Sequence, residues 1–209
     1  QKRIVIVGGG FAGVNLAKRL GGHAAFQITI VDKNNYNFFP PLIYQVATGY
    51  LEPSSISYPF RKLFASKRNV SFRLGKLKKI KPEQHKIELD NGELAYDYLV
   101  FATGAETNYF GNENIRKNAI PMKTLSDAIS MRNTLLMRME QASISNDPLE
   151  VEKLLTLVVA GGGPTGVEIS GMFAEMKHGI LKKDYPEFSN KSGRIYLVDG
   201  GDYVLSPMS

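Results

Sequence analysis

An α/β fold with two dinucleotide-binding βαβ units is predicted by three features of this 209-residue chain. The pattern Gly-x-Gly-x-x-Gly occurs twice, in IVIVGGGFAGVNLA (residues 4–17) and in LTLVVAGGGPTGVEISG (residues 155–171). Each copy follows an apolar, β-rich run and opens a helix-compatible stretch. An acid, Asp32 or Asp199, ends the next apolar run after each copy. The copies lie ~150 residues apart, about a domain's length. Two copies imply two bound dinucleotides, and the natural use of two is to pass a hydride between them.

The elements follow in order. Residues 3–7 are mostly β-branched and predict the first strand. Phe11 to Leu20 predicts a helix, which Gly21-Gly22 ends. Phe26 to Val31 predicts the second strand, finishing at Asp32 and completing a βαβ opening. From Asn34 to Phe60 the chain is aromatic and proline-bearing with poor helical period. It reads as a loop with short helices lying across a cofactor. Val70 to Leu74 is strand-like, and Leu77–Lys81 and Lys86–Leu89 predict meander strands with Asn91-Gly92 as a hairpin signal. Leu94 to Phe101 returns as one strand into Ala102-Thr103-Gly104.

Beyond a looser stretch, Thr124, Ser126 and Asp127 offer helix starts. That helix places Ile129, Leu136 and Met139 on one face, and Asn146-Asp147-Pro148 breaks it. Leu154 to Ala160 predicts a strand, Thr165 to about Lys182 a helix, Tyr185 to Lys191 a polar excursion, and Arg194 to Val198 a last strand. A doubly wound half needs more strands than this. The expected architecture is therefore a Rossmann-like fold with a β-meander and an incomplete second dinucleotide-binding unit, the N-terminal part of a longer protein.

Composition narrows the chemistry. The 43% hydrophobic content can build a core, and the chain has no cysteine. Disulfides, thiolate metal sites and a redox-active Cys pair are thereby excluded from these residues. The net charge of +6 reads as a solvated basic surface. Lys76, Lys78, Lys79 and Lys81 share a strand with Leu77 and Ile80, without interleaved aromatics, so an exposed strand face is expected rather than a nucleic-acid groove. No signal peptide is apparent, and no apolar run approaches the ~20 residues that cross a bilayer. His23, His85 and His178 have no metal-ligand spacing and read as surface residues.

The fingerprint residues have separate tasks. Gly8 and Gly161 permit the turn out of the strand, Gly10 and Gly163 let backbone approach a pyrophosphate, and Gly13 and Gly166 let helix and strand pack closely. The helix N-termini favour the bridging phosphates. Asp32 suits an adenosine ribose, and so does Asp199. A 2′-phosphate beside Asp199 would meet like charge with no cation in Gly200-Gly201, which favours NAD over NADP. Glu168, in the first turn of the second helix, reads either as a dipole partner or as a carboxylate beside the reacting nicotinamide. Asp127 reads as a cap.

GGGFAG, YDYLVFATG and GGGPTGVEISG together resemble the two-dinucleotide flavoproteins. With FFPPLIYQVATGYLEPSSIS and VVAGGGPTGVEISGMFAE, the chain more closely resembles the type II NADH:quinone oxidoreductases. The resemblance implies FAD contacts at Gly8, Gly10, Phe11, Ala12, Gly13, Asp32 and Lys33. It sets Thr48, Ala102, Thr103 and Gly104 near the flavin or its linker. NADH would be held by Gly161, Gly163, Pro164, Thr165, Gly166, Glu168 and Asp199, with Glu168 at the nicotinamide–flavin contact. Residues 1–120 would form the FAD-binding segment and 121–209 the opening of the NADH domain.

The same resemblance implies a quinone acceptor, peripheral attachment to the cytoplasmic face of the cell membrane, and no nucleic-acid partner; it also admits a homodimer. The family's later Gly-Asp flavin segment, quinone-site helix and membrane-docking helices are not among these residues. The isolated chain is accordingly expected to bind FAD weakly or not at all and to lack quinone activity. Disulfide reductases and sulfide:quinone reductases use Cys pairs, which this chain lacks. Ferredoxin or rubredoxin reductases, an apoptosis-inducing-factor-like flavoprotein and a non-catalytic nucleotide-sensing module are the rivals, and QVATG and the spacing around ATG lean away from the first two.

Overall fold

The computed structural model describes residues 1–188 and 193–206. In chain order the elements are β1 (Lys2–Val7), α1 (Phe11–Leu20), β2 (Phe26–Asp32), β3 (Tyr36–Phe38), α2 (Ile43–Ala47), α3 (Pro53–Ile56), β4 (Ser57–Pro59), α4 (Phe60–Leu63), β5 (Val70–Leu74), β6 (Leu77–Lys81), β7 (Lys86–Leu89), β8 (Gly92–Ala95) and β9 (Tyr98–Phe101). There follow α5 (Glu113–Asn118), α6 (Leu125–Ile144), α7 (Pro148–Leu155), β10 (Leu157–Ala160), α8 (Pro164–Met176), a π-helical turn (Lys177–Leu181), α9 (Lys182–Asp184) and β11 (Ile195–Val198). They fall into two compact units, Gln1–Phe39 with Ile56–Asn108, and Pro40–Ser55 with Tyr109–Ser209. That membership differs from a single cut at residue 120.

In the first unit a parallel sheet has the order β5-β2-β1-β9. Alternation along β1 explains why all of Ile4 to Val7 is buried. Ile4 and Ile6 join Val14 and Ala17 of α1, Ile28, Ile30, Phe60 and Phe72 in one core layer. Val5, Val7 and Val31 face the other way, onto Ile87 and Leu89 of the β6-β7-β8 meander and Tyr96 just after it. A parallel sheet covered on both faces is the expected arrangement. The chain moves from β1 through β2 to β5 on one side, and β9 adds on the other, so the order reverses between β1 and β9. Ligands of open α/β sheets bind outside the strand C-termini at such a reversal.

Several expectations are corrected here. The single strand from Leu94 to Phe101 is two strands in two sheets, broken where Asp97 accepts the Arg3 N–H (2.6 Å) and pairs with its guanidinium. Asn91-Gly92 does mark a hairpin, with Asp90–Asn91 as its loop and Gly92 already paired to Leu89. The 34–60 loop contains an unforeseen antiparallel pair, β3 with β4, and divides between the units. Lys76, Lys78 and Lys79 are exposed on or beside β6, the meander's edge strand. Lysines there discourage edge pairing. Lys81 is instead paired with Glu88 and Glu93, at 3.0 and 2.5 Å.

In the second unit β10 and β11 pair in parallel, with α8 packed on one face. The other face leaves Val158, Tyr196 and Val198 exposed. Leu154 and Leu155 end α7 rather than opening the strand, because Asp147 caps a helix over Pro148–Leu155 by accepting from Leu149 N–H. A capping box between Thr124 and Asp127 starts α6, the role foreseen for Asp127. Its buried stripe is Leu125, Ala128, Leu135, Met139 and Ala142, while Leu136 is 48% exposed. The short α2 packs on α6 and α8. The last part of the expected polar excursion, residues 189–191, lies outside the described residues. No helix among the described residues is long and apolar enough to cross a membrane.

Candidate functional site

The first glycine loop leaves β1 where Gly8 N–H donates to Val31 O (2.8 Å). Gly8 has φ +107°, a conformation that side chains oppose, and a Cβ there would also strike Ala102 O and Thr103 N. Ala102 N–H in turn donates to Val7 O (2.8 Å), so the residues after β9 close on the loop after β1. Gly13 has no room for a Cβ, which would collide with Gly8 O. Gly10 is the opposite case, with open space around the same position. The structure thus brings Gly8, Gly10, Phe11, Ala12, Gly13, Asp32, Ala102 and Thr103 to one end of the sheet.

Asp32 does more than end its strand. Its Oδ2 accepts from Gly9 N–H (2.6 Å) and its Oδ1 from Asn34 N–H (2.8 Å). A carboxylate has about four lone-pair directions, so acceptor capacity for ribose hydroxyls is left over. The backbone N–H groups of Gly10, Phe11, Ala12 and Gly13 have no acceptor among the described residues. The first turn of α1 carries no acid. Free donors and the positive end of the helix dipole make this mouth suited to an anion. Lys33 is exposed beside Asp32, and Phe11, 50% exposed, meets Phe39 edge-on at 5.6 Å.

The second unit repeats the central bonds of this construction. Gly161 N–H donates to Val198 O (2.8 Å), φ at Gly161 is +113°, and a Cβ on Gly166 would collide with Gly161 O. Asp199 Oδ2 accepts from Gly162 N–H (2.5 Å) and Oδ1 from Gly201 N–H (2.8 Å). These two donors, Gly162 first, hold the Asp199 carboxyl below its ordinary value. The longer spacing to Asp199 is absorbed by the π-turn, α9 and the residues before β11, and Ala160↔Val198 pairs as Val7↔Val31 does. Gly163, like Gly10, has open space at its Cβ position. Pro164 carries no N–H, so the second mouth presents three donors without an acceptor among the described residues, on Gly163, Thr165 and Gly166, against four in the first.

Glu168 lies beyond the first turn of α8, which holds no acid. It is exposed and makes no hydrogen bond or ion pair among the described residues. Thr48 is buried in the second unit, and its hydroxyl donates to Tyr44 O (2.9 Å). Gly104 follows Thr103 with φ +69°.

Other contributors escape sequence reasoning. Asn37 Nδ2 donates to Gly9 O (2.8 Å), and the Phe60 ring fills the space a Cβ on Gly9 would need. In the second mouth Leu205 N–H donates to Gly162 O (2.7 Å), and Val204 sits against Gly162. Asn37 and Leu205 carry no motif, and Phe60, between Pro59 and Arg61, stands in no apolar run. No group of His, Cys, Asp or Glu among the described residues could hold a metal ion.

Comparison with known proteins follows this geometry. The pattern of the family described as Pyridine nucleotide-disulphide oxidoreductase matches residues 2–209. Type II NADH:quinone oxidoreductase Ndh of Mycobacterium tuberculosis is 37% identical over 212 residues, covering 100% of this chain and 46% of its own. External NADH-ubiquinone oxidoreductase 2, mitochondrial, of Saccharomyces cerevisiae is 31% identical over 217 residues, covering 99% of this chain and 39% of its own. Among solved structures, NDH2 from Plasmodium falciparum in complex with NADH superposes with TM-score 0.91 at 27% identity, over 99% of this chain and 43% of that one. The sulfide:quinone oxidoreductase of Aquifex aeolicus superposes with TM-score 0.74 at 25% identity, over 98% and 44%. The chain spans about half the length of the curated relatives it matches or less.

Proposed function

This chain belongs to the pyridine nucleotide-disulphide oxidoreductase family, and from that premise we propose that it carries the FAD-binding and NADH-binding mouths of an NADH:quinone oxidoreductase. The observation that supports this most is the twofold construction of one hydrogen-bonded glycine mouth. Both fit a dinucleotide. Gly10 and Gly163 leave room for a pyrophosphate, the helix N–H groups are unclaimed among the described residues, and each acid retains acceptor capacity.

In this reading the first mouth, within residues 1–120, holds FAD through Gly8, Gly10, Phe11, Ala12, Gly13, Asp32 and Lys33, with Ala102 to Gly104 beside it. The second, within 121–209, holds NADH through Gly161, Gly163, Pro164, Thr165, Gly166 and Asp199. When bound there, FAD would supply the hydride-accepting and two-electron chemistry that links NADH to a quinone. The chain's own contribution is to bind and orient both nucleotides. Glu168, exposed and without a partner among the described residues, is the carboxylate we assign to the nicotinamide side. Asp199 favours NADH over NADPH, because its charge opposes a 2′-phosphate. Attachment to the cytoplasmic face of a membrane belongs to the same proposal.

Anaerobic titration of the FAD-loaded protein with NADH tests it. Bleaching of the visible flavin absorbance is the expected result. Bound flavin that NADH leaves oxidised would overturn the enzyme in favour of a nucleotide sensor.

A further inference from the structure

We infer that Asn37 is a positioning residue for the first mouth: its amide fixes the Gly9–Gly10 peptide so that the Gly10 N–H is presented to a pyrophosphate. The inference rests on reading that mouth as a dinucleotide site. Asn37 lies outside the glycine fingerprint, in a hairpin between the second and third strands of the parallel sheet.

The argument begins with the peptide plane. In a trans peptide the C=O and the following N–H point to opposite sides, and the chain has no cis bond among its described residues. Gly9 O accepts from Asn37 Nδ2 at 2.8 Å. Since a carbonyl only accepts, it is the donor end of the amide that faces it. Holding Gly9 O on that side turns the Gly10 N–H the other way, where it has no acceptor among the described residues. Without the bond this plane can rotate about the flanking glycine dihedrals, which are the least restrained in any chain. A carbonyl turned outward would meet the phosphates with like polarity.

The neighbouring contacts leave Asn37 to set that plane. Asp32 Oδ2 holds Gly9 N–H at 2.6 Å, which fixes the preceding peptide plane. The Phe60 ring occupies the space beside the Gly9 Cα. Asn37 itself is held in register, pairing with Tyr58 while Tyr36 pairs with Pro59 and Phe38 with Ser57. The second mouth performs the same task with a backbone donor, Leu205 N–H on Gly162 O at 2.7 Å. A side-chain substitution at position 37 therefore acts on one mouth and spares the other.

The test uses Asn37→Leu, which removes the donor at similar size, and Asn37→Asp, which keeps the shape and cannot donate. In ¹⁵N–¹H spectra of the nucleotide-free protein, the Gly10 amide resonance is expected to move in both variants while that of Gly163 stays. Flavin fluorescence titration is expected to show FAD binding weakened about five- to tenfold by Asn37→Leu, the effect of one hydrogen bond, and more by Asn37→Asp. NADH binding should be unchanged. A Gly10 resonance that stays in place in a folded variant, or FAD affinity within twofold of wild type, would overturn the inference. If neither FAD nor ADP moves the Gly10 amide resonance of the wild-type protein, the reading of the mouth itself is overturned, and the Gly10 resonance of the variants still decides the clamp.

Discussion

Gly10 and Gly13 stand three positions apart and lack a side chain for opposite reasons. Around Gly10 the Cβ position is empty, whereas at Gly13 it is occupied by Gly8 O. Gly13→Ala should therefore destabilise the fold by on the order of 3 kcal/mol through overpacking. Gly10→Ala should leave the thermal midpoint nearly unchanged and weaken FAD binding. Thermal unfolding and flavin titration of the two variants separate these effects. Equal melting losses would refute the assignment. Asp199 supports a second expectation. Its folded carboxyl lies below the ordinary 3.8, through the Gly162 and Gly201 N–H groups. The stabilisation is complete above the unfolded value and is lost as pH falls through the lower folded one. Asp199→Asn should show a shallower loss of thermal midpoint between about pH 5 and about pH 3 than wild type. Identical acid slopes would place the origin elsewhere.

At the scale of elements, one side chain ties three together. Asn69 is 9% exposed, and its Nδ2 donates to Leu20 O, His23 O and Phe26 O while its Oδ1 accepts from Gly22 N–H. It joins the end of α1, the start of β2 and the turn before β5. Asn69→Ala leaves several partly buried groups unpaired and should cost roughly 3 kcal/mol in chemical denaturation. A loss under about 1 kcal/mol would mean that water replaces the amide without penalty. Periodicity made most elements legible. α1, β5, β6 and β7 occupy the spans their patterns indicate, because each presents a period of 2 or 3.6 to a core. Where an apolar run crosses an element boundary the pattern misleads. Leu154 and Leu155 are as apolar as the strand they precede, yet the Asp147-Pro148 start claims them for α7. Leu136 fits a helical face that α6 does not bury.

For the molecule as a whole, two mouths of one design should give two sites for the fragment common to both cofactors. Isothermal titration with ADP, which carries adenosine and a pyrophosphate, is expected to count two sites per chain. Gly10→Ala should remove one and Gly163→Ala the other, each lowering the stoichiometry to one. A single site in wild type, or loss of both from one substitution, would contradict independent mouths. The candidate site was legible in proportion to its dependence on motif. The fingerprint glycines, Asp32 and Asp199 are read from spacing, and the structure gathers them. Asn37, Phe60 and Leu205 reach the loops from other segments, and no local pattern marks them.

The sequence by itself determined that the chain is α/β, that it repeats a strand–glycine turn–helix, and that an acid closes each repeat. Those features are local, since glycine tolerance, helix starts and strand alternation are properties of neighbouring residues. Only the tertiary structure decided that both acids hold the glycine loops by backbone N–H groups, and that different donors clamp Gly9 O and Gly162 O. It alone put Thr48 in a buried helix turn and Glu168 in the open. Hydrogen bonds between distant segments depend on how strands order and pack, which a linear pattern does not encode.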